Sequence, residues 1–62
     1  MIRRPTVGQR VAPSITLAPR TVPTGQAGTI VALLRVGTVA VEWDGSRGWA
    51  DTGVPAADLV AL

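Results

Sequence analysis

Residues 25–45 read G-Q-A-G-T-I-V-A-L-L-R-V-G-T-V-A-V-E-W-D-G, and no other stretch constrains the fold as tightly. Thr29 to Leu34 is a continuously apolar run with a β-branched start. Val39, Val41 and Trp43 then alternate with Ala40, Glu42 and Asp44, the two-residue period of a strand with one buried face. Val36-Gly37-Thr38 between the two runs, and Asp44-Gly45 after the second, place glycine where a tight turn demands a positive φ. The unbroken apolarity of 29–34 predicts a strand buried on both faces or one that is strongly bent. In a chain of 62 residues, which is one domain, this pattern points to a small closed β-barrel.

The flanking segments complete the reading. Met1 to Thr6 reads as an extended arm, since Pro5 biases Arg4 away from the helical region. Val7 to Ala12 is a first strand with Val7 and Val11 on one face. Three prolines between Pro13 and Thr24 mark a long excursion, in which Ile15 and Leu17 alternate with Ser14, Thr16 and Ala18. Proline cannot donate to a central ladder, so this segment belongs to an edge or a loop. Two roles suit it. Ile15, Leu17 and Val22 anchor a partner on a loop that proline keeps from losing much entropy, or the loop folds back over the mouth of the barrel. Arg47 to Thr52 forms the strand returning from the Asp44-Gly45 turn; a two-residue loop there would set Glu42 opposite Arg47, while Gly48 leaves other registers open. Val54 to Asp58 predicts a single 3-10 turn, and Leu59 to Leu62 a last short strand.

Composition removes several classes of function. His, Cys, Lys and Tyr are absent, so there is no disulfide, no zinc ligand set and no usual general base beyond carboxylates. Glu42, Asp44, Asp51 and Asp58 show no spacing that suggests a magnesium or calcium site. Ser14 and Ser46 lack a side chain to activate them. We therefore expect no enzymatic activity, no cofactor and no metal. The longest apolar run, Ile30 to Leu34, is far short of the roughly 20 residues that span a bilayer. Arg3-Arg4 is not followed by the apolar stretch of a secretory signal. The expected location is cytoplasmic or in a virion, with no membrane partner.

Hydrophobic residues make up 47% of the chain, more than the few inward positions of a small barrel can hide. A contiguous exposed remainder would mark an oligomer or an obligate protein partner, although alanine inflates the percentage without forming a patch. The formal net charge is +2, and every cation is an arginine. Arginine without lysine, among many Ala, Val, Gly and Pro, suits GC-rich coding, as in an actinobacterium or one of its phages. Arg3, Arg4 and Arg10 gather near the N-terminus, while Arg35 and Arg47 fall at turns that would share one rim. With Trp49 as a stacking platform they form a candidate nucleic-acid surface. At +2, however, the long-range attraction is small, and the same arginines serve to solubilise an apolar surface. Trp43 continues the Val39–Val41 face into the core. Trp49 is either an exposed interface residue or a second core tryptophan.

The segments Gly8-Gln9-Arg10-Val11, Gly28-Thr29-Ile30-Val31, Val39-Ala40-Val41-Glu42-Trp43-Asp44-Gly45 and Val54-Pro55-Ala56-Ala57-Asp58-Leu59 occur in that order. From Val7 onward the chain resembles the SH3-like barrel superfamily, in particular KOW-type modules and the Mind-bomb type of SH3-like domain. The resemblance implies an all-β fold, a small five-stranded SH3-like barrel with a long first loop and a 3-10 turn before the last strand. The arm is then residues 1–6 and the barrel residues 7–62. It also implies RNA contacts through basic loops, as in KOW modules. A groove for proline-rich peptides is not expected, because such grooves need several aromatics and the chain has no Tyr or Phe. The expected function is a non-enzymatic protein-interaction module, such as a phage accessory or virion-assembly component or a small bacterial adaptor. Its contacts would come from Arg3, Arg4, Ile15, Leu17, Arg20, Val22, Arg35, Arg47 and Trp49. The alternative is a nucleic-acid-binding barrel that uses the arginines.

Overall fold

Glycine-bearing turns cut the chain into short strands. The computed structural model describes residues 2–17, 22–46 and 48–62. Its elements are β1 (Arg10–Pro13), β2 (Gly28–Leu33), β3 (Thr38–Trp43), β4 (Ala50–Pro55), a 3-10 turn η1 (Ala56–Asp58) and β5 (Leu59–Ala61). The fold is all-β, with five antiparallel strands in one sheet ordered β4-β3-β2-β1-β5 and the expected 3-10 turn before the last strand. Among the described residues there is no helix long and apolar enough to cross a membrane.

The short η1 link forces the sheet to curl. β4 and β5 are its two edges, and in a flat sheet four spacings of about 4.8 Å would hold them roughly 19 Å apart. Three residues of 3-10 turn rise only about 2 Å each, so the edges must approach one another where η1 joins them. The overall extents, 24 × 22 × 21 Å, are nearly equal in all three directions.

Two bulges supply the bend. Ile30 pairs with Val41 and Ala32 with Ala40, so Val31 is an extra residue in β2. Val39 pairs with Val54 and Val41 with Asp51, so β4 carries an extra residue beside Ala40. That insertion includes Gly53, whose φ of 72° suits a glycine bulge. The apolar run of β2 is therefore not buried on both sides. Ile30 is fully buried, whereas Val31, Leu33 and Leu34 are exposed. A bulge and an outward apolar row account for the run.

The wrapped face encloses Val11, Ile30, Val39, Val41 and Leu59, which are the largest fully buried side chains. Ile2, Leu17, Val22, Trp43 and Val54 complete the cluster. Full burial of one such aliphatic side chain is worth about 1.5–3 kcal/mol, against about 0.5–1.5 for a typical hydrogen bond, so packing dominates. Ile2 revises the sequence reading, and Leu17 and Val22 follow one of the two roles expected of the excursion. The segment expected as an arm is anchored by Ile2, whose amide donates to the Ala56 carbonyl at 3.4 Å. Among the described residues of the 13–24 excursion, Leu17 and Val22 turn into the core and are bridged to each other.

Other expectations need correcting. Strand β1 starts at Arg10 rather than Val7. Thr6 to Gln9 is a turn closed by Gln9 N to Thr6 O (3.1 Å) with Gly8 at φ 92°, which leaves Val7 exposed and off the Val11 face. The connection after β3 is longer than two residues, so Glu42 lies opposite Ala50 rather than Arg47. Arg47 itself lies outside the described residues.

At the centre, Trp43 packs across the backbone of Gly28, which pairs with Val11 on one side and Trp43 on the other. A Cβ at position 28 would lie 2.6 Å from Trp43 Cε3 and 2.8 Å from Val41 Cγ1. The indole is held at its polar end too, as Nε1 donates to Asp51 Oδ2 at 2.6 Å. Gly28 is thus required by space rather than by backbone angle. Gly28→Ala is expected to lower stability by about 1–3 kcal/mol or more through overpacking. Urea unfolding followed by Trp fluorescence measures this, and an unchanged midpoint would contradict the close approach.

Candidate functional site

The two ends of β3 carry different chemistry. At its start, the Arg35–Thr38 turn is closed by Thr38 N to Arg35 O (2.8 Å), and the Thr38 hydroxyl also donates to Arg35 O (2.9 Å). Gly37 takes φ 77°, which throws Val36 outward to full exposure (102%). Leu33 (53%), Leu34 and Val31 (both 42%) extend the apolar surface back along β2. Arg35 stands exposed between Leu34 and Val36. Ala56 ties this turn to the N-terminal segment, since its amide donates to Gly37 O at 2.8 Å and its carbonyl receives Ile2 N. Arg3 and Arg4 follow Ile2 directly and are exposed. This end therefore combines apolar side chains with three arginines.

At the other end, the chain turns at Trp43–Ser46, closed by Ser46 N to Trp43 O (3.0 Å) with Gly45 at φ 87°. Between this turn and the end of the 13–24 excursion lies an open pocket of about 210 Å³, lined by Val22, Pro23, Gln26, Trp43, Asp44, Gly45 and Ser46. Gln26 Nε2 donates to Asp44 O (3.3 Å) and Asp44 N to Ala27 O (2.9 Å), which fixes its two walls together. Trp49 is partly exposed (43%) beside the same turn, where its carbonyl accepts a bond from the Ser46 hydroxyl.

Arg10 and Asp44 form the sole ion pair found among the described residues. Arg10 Nη1 and Nη2 reach the two carboxylate oxygens at 2.8 and 2.6 Å, and Nη1 also donates to Thr29 Oγ1 at 2.8 Å. This fork–fork geometry joins β1 to the β3–β4 turn across β2. It also takes Arg10 out of the cationic group read near the N-terminus. The hydrogen bonds from Arg10, helped by its charge and opposed by modest desolvation, hold the Asp44 carboxyl below its ordinary value. The same bonds raise Arg10.

The residues expected to contact a partner thus separate. Arg3, Arg4 and Arg35 share one end with the exposed apolar row, Trp49 lies at the opposite end, and Ile15 is exposed on the excursion. Leu17 and Val22 are buried in the core, the fold-back role open to the excursion, and Val22 also lines the pocket. Arg20 and Arg47 lie outside the described residues. Arg35 lies in the turn before β3, and the rim expected to join it with Arg47 falls outside the described residues. Among the described residues no three metal-ligating side chains gather. Sequence reading did not find the Arg10–Asp44 pair, because 34 residues separate the partners and no local pattern links them. Comparison with protein-family models, curated proteins and solved structures finds no match for this chain.

A carboxylate whose folded pKa is depressed stabilises the fold above its unfolded value, about 4, and the benefit fades as pH falls through the folded value. Asp44→Asn is therefore expected to be less stable than the wild type at pH 7. The two should converge in acid, once the folded-state Asp44 is protonated. Chemical denaturation at pH 7 and in acid tests this, and an equal gap at each would refute the ionic origin.

Proposed function

We propose that this chain is a small SH3-like barrel that works as a non-enzymatic protein-interaction module, of the size and character of a phage accessory or virion-assembly component or a small bacterial adaptor. The single observation that carries the reading is the apolar end of the β2–β3 hairpin. Val31, Leu33, Leu34 and Val36 are all exposed, along β2 and the turn that follows it. Water opposes such a row, and exposed contiguous apolar surface marks contact sites. The curled five-stranded order, the 3-10 turn and the long first loop support the SH3-like reading.

The separation of Arg35 from Trp49 favours protein over nucleic acid as the partner. Single-stranded nucleic acid is gripped by cations and stacking rings in one groove. Here Arg3, Arg4 and Arg35 lie toward the opposite end of β3 from the exposed indole, roughly 17 Å away at about 3.3 Å per residue. Mixed-sequence DNA and RNA are accordingly expected to show no micromolar binding at about 50 or 200 mM salt. Micromolar affinity with a steep salt slope would replace this reading with the nucleic-acid one.

A surface kept for contact also contributes little to folding. Leu34→Glu should change unfolding stability by less than about 0.5 kcal/mol, as exposed substitutions do. A loss above about 2 kcal/mol in urea would show that the row supports the fold instead.

A further inference from the structure

The two ends of β3 match each other, and that match names a partner for the interaction surface proposed above. Val36 is an apolar knob at the tip of one turn, with Arg35 beside it. The pocket at the other end has Val22, Pro23 and Trp43 as apolar lining and Asp44 among its walls. Its volume of about 210 Å³ exceeds the roughly 150 Å³ of an engineered apolar cavity that holds benzene, so an open pocket of this size admits a three-carbon side chain. Asp44 accepts two side-chain bonds from Arg10, and a carboxylate offers about four acceptor positions, so a second arginine has sites to use.

We propose that the chain associates head to tail with a second copy of itself, the Val36 knob of one molecule seating in the Val22–Pro23–Trp43 pocket of the next, with Arg35 reaching Asp44. A molecule cannot fill its own pocket, because knob and pocket are held apart by the six residues of β3, a stiff spacer of roughly 17 Å. Joining two different patches makes the contact heterologous, and repetition of it builds a ring or an open chain of copies. A symmetric knob-to-knob pairing is disfavoured, since it sets Arg35 against Arg35. The inference rests on the interaction-module reading but is narrower than it.

One such contact covers less than the roughly 800 Å² per partner of a standard interface, so association is expected to be weak, with a dissociation constant on the order of 0.1–1 mM. Sedimentation velocity on the whole chain, up to about 1 mM, should show mass rising with concentration beyond a dimer. Two variants at exposed positions separate the halves. Val36→Glu spoils the knob, and Pro23→Arg blocks the pocket and repels Arg35. Each alone is expected to stay monomeric, with affinity reduced about tenfold or more. Mixed in equal amounts they should form a dimer and stop there, because one brings an intact pocket and the other an intact knob. Trp fluorescence confirms that both variants remain folded.

A monomeric wild type at about 1 mM overturns the proposal, as does a mixture of the variants that stays monomeric. So does self-association that neither variant weakens, although that result leaves the interaction-module reading intact by showing another contact surface. Binding of the knob end to anionic vesicles or nucleic acid by an otherwise monomeric wild type overturns both.

Discussion

The close approach of Trp43 to Gly28 is the constraint on which the rest of the fold depends. Three strands meet there, since Gly28 pairs with Val11 in β1 and with Trp43 in β3. The indole occupies the space a side chain at 28 would need, and Asp51 of β4 receives its N–H. One aromatic ring therefore sets the register of four strands at once. Its position also fixes the two walls around it, because the turn that follows Trp43 carries Asp44, and Asp44 is clamped to Arg10 from outside. Hydrophobic packing inside and a forked ion pair outside hold the same hairpin, and the pocket is what remains between that hairpin and the returning excursion.

Much of this architecture was legible in the residues. Alternation at Val39, Val41 and Trp43 located β3 and its buried face, and the glycines at 37 and 45 located its turns. The 3-10 turn at Ala56–Asp58 also followed from local sequence. What local sequence does not encode is the count of residues across a ladder. Val31 looks like any other member of an apolar run, yet it is the residue that the partner strand cannot match, and so it turns the alternation of β2 outward. Val7 shows the same limit from the other direction. A valine at strand spacing from Val11 belongs to a turn, because Gly8 and the Thr6–Gln9 hydrogen bond bend the chain before the ladder begins.

The candidate site was legible only as an inventory. Arginines, an exposed tryptophan and apolar loop residues could be named, but their grouping depends on which end of β3 each one reaches. Leu17 and Val22 bridge to one another and join the core, so the excursion turns them inward rather than out. Arg10 is drawn to Asp44 over a sequence distance that no periodicity reports. The Arg3, Arg4 and Arg35 group arises because Ala56 accepts from Ile2 and donates to Gly37, a three-way junction of segments far apart in the chain.

One feature of β4 shapes how such a domain can meet its neighbours. The strand lies on the rim of the sheet, where main-chain groups invite an incoming strand. Its bulge at Gly53 breaks the even spacing of those groups, and Pro55 has no N–H to offer. Lateral stitching of backbones, the route that leads toward fibrils, is blunted at this rim. Contact at this rim is left to side-chain shape rather than to backbone pairing.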